Sequence, residues 1–223
     1  MASSEQSARD GAVERGVHSR LVETAEELFC TRGFNETSVR DIAAAAGCNV
    51  AAINYYFGGK DNLYVEVWRR RLAQMRDMRL AGIERVMSGQ QPRQLEELLR
   101  SYANSFVEPL MEGGQSDRLL RFMAREMVDP HLPREMFLNE MVLPVMNAMN
   151  EALQKSCPWL EERQVQLVIL SIVGQLMQAV IARGMFERGG HPELLQLDLA
   201  ETVEHVVRFS AAGIRGYQNN SGE

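Results

Sequence analysis

Residues 37 to 60 constrain the fold more than any other stretch, because they predict two short helices separated by a tight turn. Thr37 or Ser38 can begin the first helix, since a hydroxyl accepts a hydrogen bond from an otherwise unpaired backbone N–H. The alanines that follow are strong helix formers. Gly47 then ends this helix, and Asn49 is a suitable N-cap for the second. The pattern is a helix-turn-helix, a motif that places its second helix in the DNA major groove.

The residues before this motif predict a helix that packs on it. Between residues 17 and 32, apolar side chains recur at helical spacing and three glutamates lie on the opposite side, and Gly33 ends the helix. The apolar stripe is wide enough to pack across both helices of the motif. We therefore expect a three-helix domain whose core also contains Val39, Ile42, Ala43, Ile53 and Phe57.

A long helix is predicted to follow Gly58 and Gly59, from Lys60 to about Val86. At ~1.5 Å per residue it would span nearly 40 Å and join the three-helix domain to a second domain. It carries a run of arginines at 69–71, followed by Arg76 and Arg79. We interpret these as solvated or acid-paired rather than as a phosphate track, because residue 69 lies well over ~10 Å along the helix from Lys60.

The rest of the chain predicts only helices. A linker at 88–92 precedes a helix that ends at Gly113–Gly114. Two further helices are expected over 117–128 and over 133–155, the latter interrupted by Pro144. Seven methionines lie in this part, and their flexible thioethers suit either a cavity for bulky apolar ligands or an ordinary core. They are Met111, Met123, Met127, Met136, Met141, Met146 and Met149.

Residues 164–182 contain no charge, which by length alone reaches the threshold for a membrane span. Four glutamines in this stretch would be costly in hydrocarbon, so we expect a buried helix and no membrane. A last helix is expected from near Asp198. The final two helices have more apolar surface than a monomer needs, which favours a homodimer formed through them as a four-helix bundle.

The composition of the chain indicates the cellular compartment and restricts how the protein could bind DNA. Three scattered cysteines, Cys30, Cys48 and Cys157, match no metal-binding spacing and favour a reducing compartment. Residues 1–16 lack the apolar core of a signal peptide and predict a disordered tail, so we expect a cytoplasmic protein. The net charge is −6. Any DNA contact must therefore come from well-placed hydroxyls, helix N-termini and a few cations.

Four stretches form a recognisable pattern: Ala25, Leu28, Phe29 and Gly33; the segment 37–43; Ala46-Gly-Cys-Asn; and Ile53-Asn-Tyr-Tyr-Phe with Lys60 and Leu63. In these residues, 17–67 resembles the N-terminal DNA-binding domain of TetR-family transcriptional repressors. Beyond them, the chain is weakly similar to the cephalosporin- and chloramphenicol-responsive regulators of that family. The resemblance implies an all-α fold: an N-terminal three-helix helix-turn-helix DNA-binding domain and a larger helical ligand-binding and dimerisation domain.

The resemblance also implies residue roles. Thr37 and Lys60 would contact phosphates, Arg40 a base or phosphate, and Tyr56 a phosphate. Asn54 stands where the family often has Tyr, and it either reads adenine or faces solvent. The complete predicted DNA-binding set is Thr37, Ser38, Arg40, Asn49, Val50, Ala51, Ala52, Asn54, Tyr55, Tyr56 and Lys60.

The expected function is a ligand-responsive homodimeric repressor, bound to a palindromic double-stranded operator and released by a largely apolar small molecule. A helical adaptor acting through a protein partner is the alternative, and neither a cofactor nor a catalytic site is expected. The predicted boundaries are 17–60 for the DNA-binding domain, 61–87 for the connecting helix, 88–216 for the ligand-binding domain and 217–223 for a tail. The predicted ligand-binding residues are Phe106, Phe122, Met123, Glu126, Phe137, Met141, Gln175 and Gln178.

Overall fold

The computed structural model describes residues 2–89, 94–111, 122–123, 125–126, 129–190 and 198–220. This part of the chain is helical and contains no strand, which confirms the predicted all-α class. The α-helices are α1 (Ala2–Arg32), α2 (Val39–Ala45), α3 (Val50–Phe57), α4 (Lys60–Ser88), α5 (Gln94–Met111), α6 (Leu143–Ser156), α7 (Glu162–Arg188) and α8 (Leu199–Asn220). A π-helix, Leu138–Val142, directly precedes α6.

Both predicted tails are partly helical. α1 begins at Ala2 rather than near Val17, and α8 continues to Asn220. The physical reason is that extending an existing helix adds one hydrogen bond per residue fixed, whereas starting a helix is costly. Alanine, glutamate, glutamine and arginine near the N-terminus do not oppose this extension. The prediction of a disordered tail was therefore wrong for residues 2–16 and 217–220, and 221–223 lie outside the described residues.

The chain divides into two compact units. The first contains residues 1–72 and 113–136, and the second contains residues 73–112 and 137–223. The predicted domain boundaries differ from these two units, because they placed residues 113–136 in the ligand-binding domain. They also treated the connecting helix as a separate segment, whereas α4 begins in the first unit and ends in the second.

The first unit contains the predicted three-helix core. Leu21, Ala25 and Phe29 of α1 are fully buried, as are Ile42 of α2 and Ile53 of α3. Leu63, Val67 and Trp68 on the first turns of α4 are buried in the same unit. This core holds α2 and α3 against α1 and so fixes which faces of the helix-turn-helix remain accessible.

The second unit has its own core, formed by one face of each of its helices. It contains Leu98 and Leu99 of α5, Met149 and Leu153 of α6, and the buried stripes of α7 and α8. The helical spacing of Val165, Ile169, Ile172, Leu176 and Ala179 predicts a buried stripe on α7. The first four of these side chains are at most 3 % exposed, and Ala179 is half-buried. On α8, the buried residues are Leu199, Val203, Val206 and Val207.

Pro144 interrupts a helix, as predicted. Helical residues run without a gap from Met136 to Ser156, and the regular α-helical pattern is replaced by the π-helix Leu138–Val142 immediately before the proline. Residues 90–92 of the predicted linker at 88–92, and most of the predicted helix over 117–128, lie outside the described residues.

The outer face of α7 is apolar and exposed. Leu170 is 68 % exposed and Ile181 54 %, and Leu167, Met177 and Met185 lie on the same face. The segment Glu162–Ala182 is long and apolar enough to cross a membrane by length and composition alone, although a third of its most apolar stretch is buried inside the protein. Phe209 of α8 is also 63 % exposed.

Candidate nucleic-acid interface

The second helix of the motif, α3, has well-defined ends. The Asn49 side chain accepts a hydrogen bond from the Ala51 N–H at 3.0 Å, which makes Asn49 the predicted N-cap. Gly58 ends the helix with a φ of +73°, a left-handed conformation that favours glycine. Gly47, in the turn between α2 and α3, has a φ of +62°. The turn geometry expected from the sequence is therefore present.

α3 presents a continuous accessible surface. Asn49, Ala51, Asn54 and Tyr55 are exposed, while Val50, Ala52 and Tyr56 are half-buried. Tyr55 is 75 % exposed, and its ring packs edge-on against Tyr56 at 5.0 Å between centroids. The opposite side of α3 is held in the core by Ile53 and Phe57. The helix thus offers amides, small apolar side chains and phenol groups to an external partner.

The start of α2 is fixed by a reciprocal cap. The Asp41 N–H donates to the Ser38 hydroxyl oxygen at 3.2 Å, and the Ser38 N–H donates to the Asp41 carboxylate at 3.0 Å. The Ser38 hydroxyl and the Ser38 N–H both donate to the Asp41 carboxylate, and these two hydrogen bonds hold the pKa of Asp41 below its usual value. Ser38 and Arg40 are both exposed at this end of the helix.

Thr37 does not lie where a phosphate contact requires it. Its side chain is 0 % exposed, and its hydroxyl donates to the Gly33 carbonyl at 2.7 Å. The structure therefore gives this side chain a role inside the domain, where it ties the end of α1 to the start of α2. The predicted phosphate contact from the Thr37 side chain is not supported, because the hydroxyl is both buried and already bonded.

Lys60 is positioned at the first residue of α4. Its Nζ donates to the Phe34 carbonyl at 3.0 Å and lies 4.0 Å from the centroid of the Phe34 ring. The side chain is half-buried, and an ammonium has three donors, so this hydrogen bond leaves capacity for a phosphate. The phosphate contact of Lys60 stays a prediction.

Arg20 is a residue of this site that the sequence did not reveal. Its Nε donates to the Ala46 carbonyl at 2.9 Å, and its Nη2 lies 3.4 Å from the Cys48 sulfur. A cation at the end of α2 stabilises the last unpaired carbonyls of that helix. No local pattern could identify Arg20, because it is separated from Ala46 by 26 residues.

The arginine run of α4 is paired with acids, as expected. Arg69 pairs with Glu66 at 2.8 Å, and Arg70 pairs with Glu23 of α1 at 3.1 Å. Arg71 pairs with Glu26. The hydrogen bond from Arg70 holds the pKa of Glu23 below its usual value.

The next two arginines of α4 differ from each other. Arg76 pairs with Asp77 at 2.9 Å, but Arg79 is 3 % exposed and pairs with no described carboxylate. The interpretation that these arginines are solvated or acid-paired was therefore wrong for Arg79.

Three predicted ligand-binding residues, Phe122, Met123 and Glu126, fall in the first unit. The Phe122 ring is 1 % exposed and stacks on Trp68 at 4.3 Å between centroids. Glu126 accepts hydrogen bonds from the Tyr64 hydroxyl at 2.8 Å and from the Leu132 N–H at 2.7 Å. Phe122 is therefore a core residue and Glu126 a structural one, while Met123 is half-buried.

Arg125 and Glu126 are adjacent in the sequence and could be expected to form a structural ion pair, but the structure pairs each of them with other groups. The Arg125 guanidinium donates to the backbone carbonyls of Phe29, Cys30 and Thr31, at 3.3, 3.1 and 3.2 Å. Neighbouring residues on a helix point in different directions, so a pair at successive positions is disfavoured. Arg125 instead satisfies the carbonyls at the C-terminal end of α1.

The other five predicted ligand-binding residues fall in the second unit, where they do not form one cluster. Met141 is buried and Phe106 is partly buried, and both contact Arg79. Phe137 is 37 % exposed and Gln178 is exposed. Gln175 donates to the Ser171 carbonyl of its own helix at 3.2 Å.

A groove of about 340 Å³ lies between α4 and α5 in the second unit. Its lining is largely polar and consists of Met78, Gly82, Arg85, Val86, Glu97, Arg100, Ser101, Asn104, Ser105 and Glu108. None of the predicted ligand-binding residues is among them. The groove was not predicted from the sequence, because the polar residues that line it follow the exposed edges of two ordinary amphipathic helices.

Comparison with known proteins agrees with the helix-turn-helix and the helical fold described above. The family model "Bacterial regulatory proteins, tetR family" matches residues 21–67, which contain the helix-turn-helix. A second family model, the C-terminal domain of the HTH-type transcriptional dual regulator CecR, matches residues 95–214, more than half of the chain. CecR of Shigella flexneri is 28 % identical over 131 residues, which cover 56 % of this chain and 58 % of that protein. The chain spans at most 58 % of the length of the curated relatives it matches.

Two solved structures share the fold over nearly the whole chain. One is a TetR-family regulator from Mesorhizobium loti, with 17 % identity, a TM-score of 0.66 and coverage of 92 % of this chain and 96 % of the other. The second is SmeT of Stenotrophomonas maltophilia in complex with triclosan, with 18 % identity, a TM-score of 0.62 and coverage of 89 % and 91 %. With the two family models, these similarities show that the chain belongs to the TetR family of bacterial transcriptional regulators, with a C-terminal domain of the CecR type.

Proposed function

We propose that the protein is a homodimeric repressor that binds a palindromic operator and releases it when a small molecule occupies the second unit. The observation that carries this proposal is the accessible face of α3, with Asn49, Asn54 and Tyr55 exposed beside small apolar side chains. A helix with this surface, held at its base by Ile53 and Phe57, is suited to the major groove.

Base recognition would come from two kinds of contact. The Asn54 amide can form paired hydrogen bonds with adenine, and Asn49 lies at the N-terminal end of the helix, where HTH proteins contact bases. Val50, Ala51 and Ala52 are small and apolar, and such side chains contact the thymine methyl group. DNA shape would supply the remaining selectivity.

Phosphate binding would depend on placement, since the net charge of −6 gives no general attraction to DNA. Ser38 and Arg40 lie at the exposed start of α2, and Lys60 lies at the start of α4. Helix N-termini carry a partial positive charge that favours phosphate. Tyr56 adds a phenol hydroxyl beside this surface.

The exposed apolar faces of α7 and α8 support a dimer. Leu167, Leu170, Met177 and Ile181 recur at helical spacing on α7, and Phe209 is exposed on α8. A contiguous apolar face of this size on a regulator is expected to be covered. A second copy of the chain would cover it symmetrically, as required for a palindromic operator.

Release by an effector would follow from a shift between two conformations. A ligand that binds one conformation better favours it, and in that state the two recognition helices would no longer match the ~34 Å spacing of successive major grooves. The SmeT–triclosan complex supports a small-molecule effector, because it shows this fold with a small molecule bound.

A gel-shift experiment with DNA flanking the protein's own gene tests the proposal. We expect sequence-selective retardation at moderate salt, because Asn49 and Asn54 read bases. Asn54→Ala should weaken binding to the specific site by about tenfold, the lower part of the ~1–3 kcal/mol expected for one lost base contact. Asn147→Ala is the matched control, since Asn147 is exposed on α6 in the other unit. Equal retardation of specific and scrambled DNA would contradict the proposal.

A further inference from the structure

Arg20 of α1 contacts both sides of the turn between α2 and α3. Its Nε donates to the Ala46 carbonyl at 2.9 Å, and its Nη2 lies 3.4 Å from the Cys48 sulfur. Ala46 is the C-cap of α2, and Cys48 directly precedes Asn49, the N-cap of α3. One side chain of α1 therefore contacts the end of one helix of the motif and the residue before the start of the other.

The backbone of this turn has two hydrogen bonds of its own. The Gly47 N–H donates to the Ala44 carbonyl at 3.2 Å, and the Cys48 N–H donates to the Ala43 carbonyl at 2.9 Å. With Gly47 in the left-handed conformation, these bonds form the Schellman arrangement that ends many helices. They fix the shape of the turn, but they connect it only to α2.

The hydrogen bond from Arg20 to Ala46 connects the turn to α1. The buried face of α1 otherwise holds the motif through apolar packing with Ile42 of α2 and Ile53 of α3. Burial of apolar surface is non-directional, whereas a hydrogen bond weakens steeply as its angle departs from linearity. The bond therefore adds a directional restraint between α1 and the turn, across 26 residues of sequence.

The orientation of α3 decides which bases its side chains can reach. α3 has eight residues, and Asn49 and Asn54, the side chains expected to read bases, are exposed on it. Paired hydrogen bonds to the edge of a base require a correctly placed amide. Helix-turn-helix proteins contact bases from the N-terminal end of the second helix. A restraint at residues 46–48 therefore acts at the end of α3 that lies nearest the bases.

The hydrogen bonds of Arg20 favour this positioning role over a direct contact with a phosphate. A bidentate contact uses two parallel N–H groups of one guanidinium fork. Nε and Nη2 form such a fork, and both are directed at the turn. Their partners are a neutral carbonyl and a neutral thiol, so the contacts depend on the geometry of the fork more than on its charge.

We propose that Arg20 is a positioning residue for DNA recognition, which sets the orientation of α3 in the major groove by holding the turn against α1. The inference rests on the proposed DNA-binding function and adds to it a residue of α1 that contacts no base. Loss of Arg20 should reduce selectivity for the operator and leave the general affinity for DNA unchanged.

The test compares Arg20→Met with the wild type, on DNA flanking the protein's own gene and on scrambled DNA of the same length. We expect the variant to bind the flanking DNA about tenfold more weakly, the loss expected when one base contact is displaced. Its affinity for scrambled DNA and its slope of log K against log salt should not change, because no phosphate contact is lost. Arg69→Met is the matched control: it removes the same charge from the same unit, at an exposed residue that pairs with Glu66. It should bind both DNAs like the wild type.

Amide hydrogen exchange of the free protein tests the structural step without DNA. We expect the Gly47 and Cys48 amides to exchange at least about fivefold faster in Arg20→Met, because the turn loses its bond to α1. The melting temperature should change by no more than about 3 °C, since one hydrogen bond from an exposed side chain contributes little to a chain of this length. Arg20→Lys should recover part of the operator affinity and of the slow exchange, because an ammonium can still donate to the Ala46 carbonyl.

Several results would overturn the proposal. An equal loss of affinity for flanking and scrambled DNA, with a salt slope reduced by about one, would make Arg20 a phosphate contact instead. Faster exchange throughout α2, α3 and α4 would make it a general structural residue. Unchanged exchange of the Gly47 and Cys48 amides would show that the turn does not depend on Arg20.

The failure of this inference can be distinguished from the failure of the repressor function. If the wild type retards flanking and scrambled DNA equally, the repressor function is contradicted and the role of Arg20 in recognition with it. Selective retardation by the wild type, together with unchanged affinity in Arg20→Met, would overturn only the role of Arg20.

Discussion

At the residue scale, Asp41 links the stability of the DNA-binding unit to pH. Its carboxylate accepts hydrogen bonds from the Ser38 N–H at 3.0 Å and from the Ser38 hydroxyl at 2.5 Å. These bonds hold the pKa of Asp41 below its usual value. A group with a lowered folded pKa stabilises the protein fully above its unfolded pKa of about 4, and this contribution is lost as the pH falls through the lower folded value.

We therefore expect Asp41→Ala to unfold at a lower urea concentration than the wild type at pH 7. The difference should shrink as the pH falls below about 4, because the wild-type carboxylate is then protonated as well. Urea unfolding between pH 7 and pH 3 measures this. Ser38→Ala removes the hydroxyl but keeps the backbone N–H, so it should reproduce part of the loss at pH 7. A difference that is constant across this range would contradict the role of the carboxylate.

Lys60 provides a second prediction, about DNA affinity. Lys60→Ala should weaken binding to specific and non-specific DNA alike, and it should reduce the slope of log K against log salt by about one, because one phosphate contact is lost. Lys155→Ala is a close control, since Lys155 is the only other lysine of the chain and is exposed on α6. An unchanged slope in Lys60→Ala would show that Lys60 serves only its contact with Phe34.

The sequence is informative about single residues where their role is local. The cap Asn49 was predictable, and Ser38 was one of two predicted candidates with Thr37, because a cap depends on residues two or three positions away. Thr37 and Arg79 were not predictable, because their burial depends on packing against distant parts of the chain. Thr37 bonds to the end of α1, and Arg79 is enclosed by residues from α5 and from the π-helix.

At the element scale, the segment around residues 122–132 belongs to the unit that contains the helix-turn-helix. Phe122 stacks on Trp68, Arg125 bonds to the carbonyls at the end of α1, and the ring of His131 lies 4.1 Å from that of Phe34. The sequence could not assign this segment, because neither periodicity nor composition says which of two cores an amphipathic segment joins. The presence of helices and the helix ends marked by glycine or a capping residue were predictable, because they depend on local patterns, whereas the start of α1 at Ala2 and the π-helix were not.

Phe122 should therefore matter to the stability of the DNA-binding unit. We expect Phe122→Ala to lower the free energy of unfolding by about 3–5 kcal/mol, the usual cost of truncating a fully buried phenylalanine. Urea denaturation followed by tryptophan fluorescence suits this test, since Trp68 lies against the deleted ring. Phe137→Ala is the control: Phe137 is 37 % exposed, and its truncation should cost under about 1 kcal/mol. Equal losses of unfolding free energy in Phe122→Ala and Phe137→Ala would contradict the placement of Phe122 in the core of the unit that contains the helix-turn-helix.

At the scale of the whole molecule, an apolar face can be read from the sequence, but its exposure cannot. The 19 uncharged residues at 164–182 indicated more apolar surface than one chain can bury. In the structure, the predicted stripe with Val165, Ile169 and Leu176 lies in the core, while Leu170 and Ile181 are exposed. The same division on α8 buries Val203 and Val207 and exposes Phe209. The outward residues are those available to a second copy of the chain.

Leu170→Glu should therefore separate the proposed dimer. Leu170 is 68 % exposed in the single chain, and a carboxylate at the centre of an apolar interface would be desolvated without a partner. Sedimentation velocity should show the wild type as a dimer at micromolar concentration and the variant as a monomer. Operator affinity should fall by at least about a hundredfold, because two half-sites bound by separate chains lose the effective concentration that a dimer provides.

The matched control for this experiment is Leu143→Glu. Leu143 is 41 % exposed at the start of α6, on a different helix from the exposed apolar residues of α7 and α8, so the same change of charge and size should leave the protein dimeric. If both variants dissociate, the effect is one of added charge rather than of a specific interface. A Leu170→Glu protein that stays dimeric and binds its operator normally would contradict the interface, since a buried glutamate cannot be accommodated at a two-fold contact that repeats it on both sides.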